Sequence, residues 1–264
     1  MGQKIKEKTK NTCYKIIEYS ADGTVENEKE INSGYKEIVS REKEKQIRVQ
    51  YYVRGRIQWD KWYKYRAKHR EGAPADIEYY LLSGQTKTER WYHKGTLHRE
   101  DGPAIIEYYP DGQKKAEVWY SNGYIHRNDG AAVIEYYRSG QKKSEEWYTY
   151  GKRNRQNAPA VIKYYKDGTR EHEAWFEEGR LHRLDGPAKT TYYRDGTPEC
   201  EIWYTNDKRN REDGPALIQY NKEGEIIQKK YYIDGRGIEE EEFKKYKAID
   251  KLLKKTISNK KISL

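Results

Sequence analysis

Carboxylates, arginines, histidines and tryptophans recur at fixed distances along this 264-residue chain, and they are the side chains with which it could do chemistry. Acidic residues stand at Asp60, Glu89, Glu117, Glu145, Glu173 and Glu201, each two residues before a tryptophan: Trp62, Trp91, Trp119, Trp147, Trp175 and Trp203. Eight residues after each ring comes an arginine: Arg70, Arg99, Arg127, Arg155, Arg183 and Arg211. Paired carboxylates serve general acid–base catalysis. Six equivalent copies would make six equal sites, whereas an enzyme needs one asymmetric constellation. Residues i and i+2 of a strand face the same side, so each carboxylate lies beside its ring. The forked guanidinium matches a carboxylate with two parallel bonds. The pattern therefore predicts a ladder of arginine–carboxylate ion pairs tying a loop to a strand, a structural device and not a catalytic one.

The histidines read the same way. His69, His98, His126 and His182 share one slot, which Asn154 and Asn210 fill in two other places. Asparagine hydrogen-bonds like a neutral imidazole but is a poor zinc ligand or proton shuttle. A turn-stabilising hydrogen bond is the expectation. His172 takes the slot of Ala116 and Ser144, and the pattern gives it no role. No Cys-x-x-Cys, His-Glu-x-x-His, Gly-x-Ser-x-Gly or phosphate-cradling glycine loop occurs. The expected sets of catalytic, cofactor-binding and metal-binding residues are accordingly empty. The aromatic ladder has two readings, a stacking platform for bases or sugars on a basic groove or the core of a thin sheet. Full periodicity favours the core, since each module must bury the same face against the next.

The elements that position these residues follow from the glycines. Gly23, Gly55, Gly84, Gly112, Gly140, Gly168, Gly196 and Gly224 are spaced by 32, 29 and then 28 residues five times over. Ala104 to Tyr109 is rich in β-branched and aromatic residues and reads as a strand. Asp111-Gly112 reads as a two-residue hairpin turn, Lys115 to Tyr120 as the returning strand, and Asn122-Gly123 as a second turn before an Asp-Gly-Pro-Ala corner. The expected fold is all-β: an elongated antiparallel meander of about eight 28-residue hairpin repeats. At the strand spacing of about 4.8 Å, Cys13 and Cys200 would lie roughly 60 Å apart, too far to pair. The run from Arg41 to Lys45, within 36–50, reads as a loop insertion. Beyond Gly237, Glu239 to Glu242 open a segment with Phe243, Tyr246, Ile249, Leu252 and Leu253 at helical spacing. Such a helix could cap the open sheet edge, with Thr256 to Leu264 frayed. The expected organisation is a basic tail at 1–12, a repeat array at 13–237, and a helix with a basic tail at 238–264.

Composition limits the partners. Only 34% of the chain is hydrophobic and 36% is charged, yet it holds 27 Tyr and 7 Trp. Disordered chains are typically poor in aromatics. No apolar run approaches the roughly 20 residues that cross a bilayer as a helix, and the N-terminus lacks the apolar stretch of a secretory signal. Two cysteines are too few for a disulfide framework, so an intracellular, cytoplasmic setting is expected. The net charge of +10 includes +3 from residues 1–10 and +3 from 239–264, leaving the array close to balance. A nucleic-acid groove concentrates Lys and Arg on one face instead.

The stretch Trp119-Tyr120-Ser121-Asn122-Gly123-Tyr124-Ile125-His126 resembles the MORN repeat, with its aromatic–Gly–His core. The His-Arg-x-Asp-Gly-Pro-Ala segment, best seen at His98 to Ala104 and His182 to Ala188, is similar to a variant in uncharacterised proteins of large DNA viruses and phages and in MORN-like bacterial antitoxin proteins. The likeness covers about Trp59 to Gly235; the period is longer than in the ordinary motif, and Arg follows the His where Gly is usual. The resemblance implies an elongated, non-enzymatic β-module that scaffolds, dimerises or tethers proteins, a viral protein within an infected host cell, and a family for which phospholipid binding is claimed. The expected function is a repeat scaffold for protein–protein interaction or self-association, with a homo-oligomer or an unidentified protein as partner. The alternative is a peripheral binder of anionic membrane lipid or nucleic acid through the basic tail and a lysine-rich face.

Overall fold

The computed structural model describes residues 12–21, 23–33, 36, 38–39 and 45–262. The expected basic tail up to residue 11, Gly34 and the charged run at 41–44 lie outside the described residues. The fold is an all-β antiparallel meander of hairpin repeats with a single long helix, Glu240–Ile262, at its C-terminal end. Two compact units divide the chain, Met1–Lys142 with Tyr148–Gly151, and Lys143–Trp147 with Lys152–Leu264. The division falls inside the array expected to be one domain. Repeats bury surface only against their neighbours, so such an array carries no one core that would forbid it.

In the first unit the strands follow the order Val25–Ile31, Thr12–Tyr19, Gln46–Val53, Arg56–Lys64, Asp76–Tyr79, Thr86–Arg90, Ile105–Tyr108, Lys114–Val118 and Val133–Tyr136, every neighbouring pair antiparallel. The first hairpin departs from a simple meander. Thr12–Tyr19 pairs on both sides, with Val25–Ile31 and with Gln46–Val53, which leaves Val25–Ile31 at the edge. Residues 46–50, expected in a loop, belong to the strand Gln46–Val53. The adjoining charges hid its alternation: Ile47 and Val49 point into a core with Ile16 and Val39, against which Tyr14, Ile31, Trp59 and Tyr63 pack. Burying each such aliphatic side chain contributes about 1.5–3 kcal/mol.

In the second unit the order is Lys142–Glu146, Val161–Tyr164, Arg170–Ala174, Lys189–Tyr192, Pro198–Ile202, Leu217–Tyr220, Ile226–Ile233 and Arg236–Ile238. The C-terminal helix is anchored by buried Phe243, whose ring lies 4.9 Å from that of Tyr231. Tyr246, Ile249, Leu252 and Leu253 are 48–66% exposed. The helix therefore does not cover the sheet edge with its apolar stripe, and it continues through Ile262, past the point expected to fray.

Both hairpin turns show why the sequence period is marked by glycine. Asn122 and Gly123 both have positive φ, 48° and 83°, as a two-residue type I′ turn requires. The Asp111-Gly112 turn is not of that kind. Gly112 alone is left-handed, at φ 86°, the Gly112 N–H bonds the Tyr109 carbonyl at 2.9 Å, and the Tyr109 N–H bonds Gln113 at 2.8 Å. This is a three-residue loop, a type I turn closed by a bulge at glycine. Pro110, whose ring holds φ near −65°, suits the second position of a type I turn, but the same bonds close the loops with Arg138, Lys166 and Arg194 in its place, so the proline fits the form without deciding it.

Candidate interaction surface

At the junction of strand and corner loop, the backbone N–H of each ladder tryptophan donates to an alanine carbonyl of the next repeat, as in Trp91 to Ala104 at 2.8 Å and Trp175 to Ala188 at 2.7 Å. Ala75, Ala104, Ala132, Ala160, Ala188 and Ala216 are fully buried there, and Ile106, Ile134, Ile162 and Ile218 are buried beside them. Small and aliphatic side chains thus fill the space between repeats, where rings were expected to do so. The rings are covered from above. Arg70, Arg99, Arg127, Arg155, Arg183 and Arg211 lie over Trp62, Trp91, Trp119, Trp147, Trp175 and Trp203 at 3.7–4.2 Å from the ring centroids.

This placement corrects the expected arginine–carboxylate ladder. The corner loop folds the guanidinium flat onto the ring, where cation–π attraction holds it. Its Nη1 then donates to the carbonyl four residues on: Arg99 to Pro103 at 3.3 Å, Arg155 to Pro159 at 3.2 Å. In three repeats Nε also donates to the aspartate two residues on, Arg127 to Asp129 at 2.8 Å, Arg183 to Asp185 and Arg211 to Asp213, a bond that Arg99 does not make to Asp101. The accepting aspartates are held below the usual carboxylate range by these bonds. The corner glycine makes room: a Cβ on Gly130 would stand 2.9 Å from the Arg127 guanidinium carbon. Two carboxylates of the predicted slot do meet an arginine, but different ones: Glu173 accepts from Arg170 Nη1 at 3.2 Å, and Asp60 is held more closely. Asp60, 1% exposed, takes Arg48 through both oxygens at 2.5–3.0 Å.

Apart from Asp60, the carboxylates of the slot serve tyrosines. Tyr108 donates to Glu89 at 2.8 Å, Tyr136 to Glu117 at 2.6 Å, Tyr164 to Glu145 at 2.7 Å and Tyr220 to Glu201 at 2.8 Å. Tyr192 and Glu173 make the equivalent bond. Burial first, and then the accepting carboxylate, push the phenols of Tyr164, Tyr192 and Tyr220 up to about 12, and that of Tyr108 upward as well. The tyrosine that follows acts in the opposite direction along the chain. Tyr80 donates to the Tyr108 carbonyl, Tyr109 to that of Tyr136, Tyr165 to that of Tyr192 and Tyr193 to that of Tyr220, all at 2.7–2.8 Å. The sequence reading missed this role, although the doublets Tyr79-Tyr80, Tyr108-Tyr109, Tyr164-Tyr165 and Tyr192-Tyr193 mark it.

The histidine slot makes the turn bond it was expected to make. Nδ1 of His69, His98, His126 and His182 accepts the N–H of Lys94, Asn122, Tyr150 and Asn206 at 3.3–3.4 Å. In Asn210 the side-chain oxygen takes the same place, accepting from Asp234 at 3.0 Å. His172 is different: burial, then Lys189 and Lys163, depress its imidazole to about 4, so it is neutral at physiological pH. Among the described residues no group of three or more His, Cys, Asp or Glu side chains is arranged to hold a metal ion. Cys13 and Cys200 are free thiols, and burial pushes the latter up.

Between successive corner loops the surface opens into clefts. One, of about 700 Å³, lies between His98 to Pro103 and His126 to Asp129, floored by Trp119. Another, of about 810 Å³, lies between Arg183 to Pro187 and Asn210 to Asp213, floored by Trp203. Glu100 and Leu184 stand at their lips, each 85% exposed. In the first unit, Tyr65, Tyr124 and Tyr150 project from the short hairpins with 58–64% of their surface exposed. Tyr150 stacks on His126 at 4.2 Å. Among the described residues no helix is long and apolar enough to cross a membrane. No protein-family model, no curated protein and no solved structure matches the chain.

Proposed function

We propose that the chain is a non-enzymatic repeat scaffold of the MORN-like kind, mediating protein–protein interaction or self-association. The observation that carries this reading is the cleft that recurs between corner loops, together with the exposed tyrosines of the first unit's short hairpins. The arginines, tryptophans, carboxylates and paired tyrosines bond to one another and hold the surface in shape. Exposed tyrosine offers large contact area at low conformational cost, which is why interfaces are enriched in it. Affinity capture with the wild-type chain and with Tyr124→Ala/Tyr150→Ala tests the reading. A partner retained by the first and lost by the second supports it. No partner above background, or an unchanged set, removes it.

A second reading rests on the C-terminal helix. Its exposed Tyr246, Ile249, Leu252 and Leu253 adjoin Lys244, Lys245, Lys247 and Lys251. A helix with apolar and lysine-rich faces suits the surface of an anionic membrane. Co-sedimentation with phosphatidylserine vesicles, compared with neutral vesicles and across a salt series, separates it from the first.

A further inference from the structure

We infer that copies of this chain associate head to tail, the edge strand Val25–Ile31 of one pairing with the stretch 226–230 of the next. The inference deepens the scaffold reading and rests on it.

Two strands are unpaired along one side among the described residues. Val25–Ile31 bonds only to Thr12–Tyr19. Residues 226–230 bond to Leu217–Tyr220 but on their other side meet no strand, since Arg236–Ile238 pairs only with 231–233. Unpaired backbone of this kind is a template for another strand. Both stretches are the returning strand of a repeat, one from the first and one from the last. In the inner repeats the returning strand carries a carboxylate, as Glu89, Glu117 and Glu201 do, which accepts a tyrosine from the adjoining strand.

The first repeat keeps a carboxylate in that slot, and only the last repeat reverses its charge. In the last repeat it is Lys229, an ammonium that asks for a carboxylate in place of a tyrosine hydroxyl. In the first repeat it is Glu28, which pairs with Lys15 at 2.7 Å, on a strand where Glu26 pairs with Lys45 at 2.8 Å, Lys29 turns to Glu18, and Glu30 has no salt bridge among the described residues. The stretch 226–230 instead carries Lys229 and Lys230 with no acid. Among the described residues neither lysine has a salt bridge: in the hollow beside this edge, Glu240 is held below its usual range first by Lys244 and only weakly by Lys229, and Glu242 pairs with Arg236. Glu239 stands at the positive end of the helix dipole. Ile226 and Ile227 are 47% and 64% exposed, and Val25 is 56% exposed, so apolar surface accompanies the complementary charge. The two edges are different surfaces, so the contact is heterologous and each copy leaves an edge for the next.

Sedimentation of the full chain tests this. At about 0.05 M salt the average mass should rise with concentration up to about 100 μM, and it should fall back at about 0.5 M salt. Lys229→Glu/Lys230→Glu and, separately, Glu28→Lys/Glu30→Lys should each weaken association at least about ten-fold. Mixed in equal amounts, the two variants should associate again, because each supplies the edge the other lost. Circular dichroism melts confirm that the variants fold, and the wild-type series decides without them. Wild-type chain that stays monomeric throughout overturns the inference, as do folded variants that associate unchanged or a mixture that does not recover. Partner capture through the tyrosines would be untouched by that result, so the scaffold reading stands or falls separately.

Discussion

Arg127 shows how much one side chain ties together: it stacks on Trp119 at 4.1 Å, donates through Nη1 to the Ala131 carbonyl and through Nε to Asp129. A lysine keeps the charge but loses the planar fork, so it cannot lie on the ring and reach both oxygens at once. Arg127→Lys should cost about 1–2 kcal/mol. In a chain of this size each kcal/mol lowers Tm by about 2–4 °C. Calorimetry reads this directly, and an unchanged melt would mean that the stack carries no net energy. The histidine slot predicts the reverse kind of result. His98 accepts the Asn122 N–H through Nδ1, and Asn210 does the same work in its own repeat. His98→Asn should therefore melt within about a degree of wild type, whereas His98→Leu leaves the N–H without its acceptor and should cost about 1 kcal/mol. Equal melts for the two variants would remove the hydrogen bond from the account.

Among the elements, hairpins and turns were legible because their causes are local. Gly112 and Gly123 sit where φ must be positive, and Ile105, Ile106 and Tyr108 prefer a strand. The partner chosen by each arginine was not legible, since it depends on the path of the corner loop. A guanidinium that could meet Glu117 meets Trp119 because Gly130 lets the loop close over it. The double pairing of Thr12–Tyr19 was hidden for a similar reason, being a long-range choice that no local spacing encodes. The tyrosine doublets were visible, but their directions required knowing which strand lies beside which. Those strand-to-strand bonds carry a pH prediction. Tyr164, Tyr192 and Tyr220 are raised to about 12 in the fold against about 10 in the unfolded chain. The stability they contribute is complete below pH 10 and is lost as pH rises through 12. Tm should hold level up to about pH 10 and fall beyond it. Replacing these three tyrosines with phenylalanine should flatten the fall, and a fall of the same size in the triple variant would place its cause elsewhere.

For the whole molecule, the 28-residue period makes a demand that no single contact makes. If each repeat is stabilised by its own turns and by its neighbours, stability is close to a sum of nearly equal terms. One full period can then be removed without a loss of fold. Excising residues 113–140 joins Gly112 to Gln141 and leaves the same Gly-Gln junction that occurs at 112–113 and 140–141. The strand Ile105–Tyr108 would then be followed by Lys142–Glu146, which carries Glu145 where Lys114–Val118 carried Glu117. Tyr164, the donor to Glu145, lies beyond the cut and keeps its acceptor. The shortened chain should keep its strand signal and unfold cooperatively, with a modestly lower Tm. Excising residues 113–126 instead joins Gly112 to Arg127. It removes the returning strand and short hairpin but keeps the corner loop, so Arg127 has no Trp119 to cover and Ile105–Tyr108 loses its hairpin mate, keeping only Thr86–Arg90. That variant should lose cooperative unfolding although it has lost half as many residues. If the two excisions melt alike, or the full-period one is the worse, then stability is held in particular residues and not in the period.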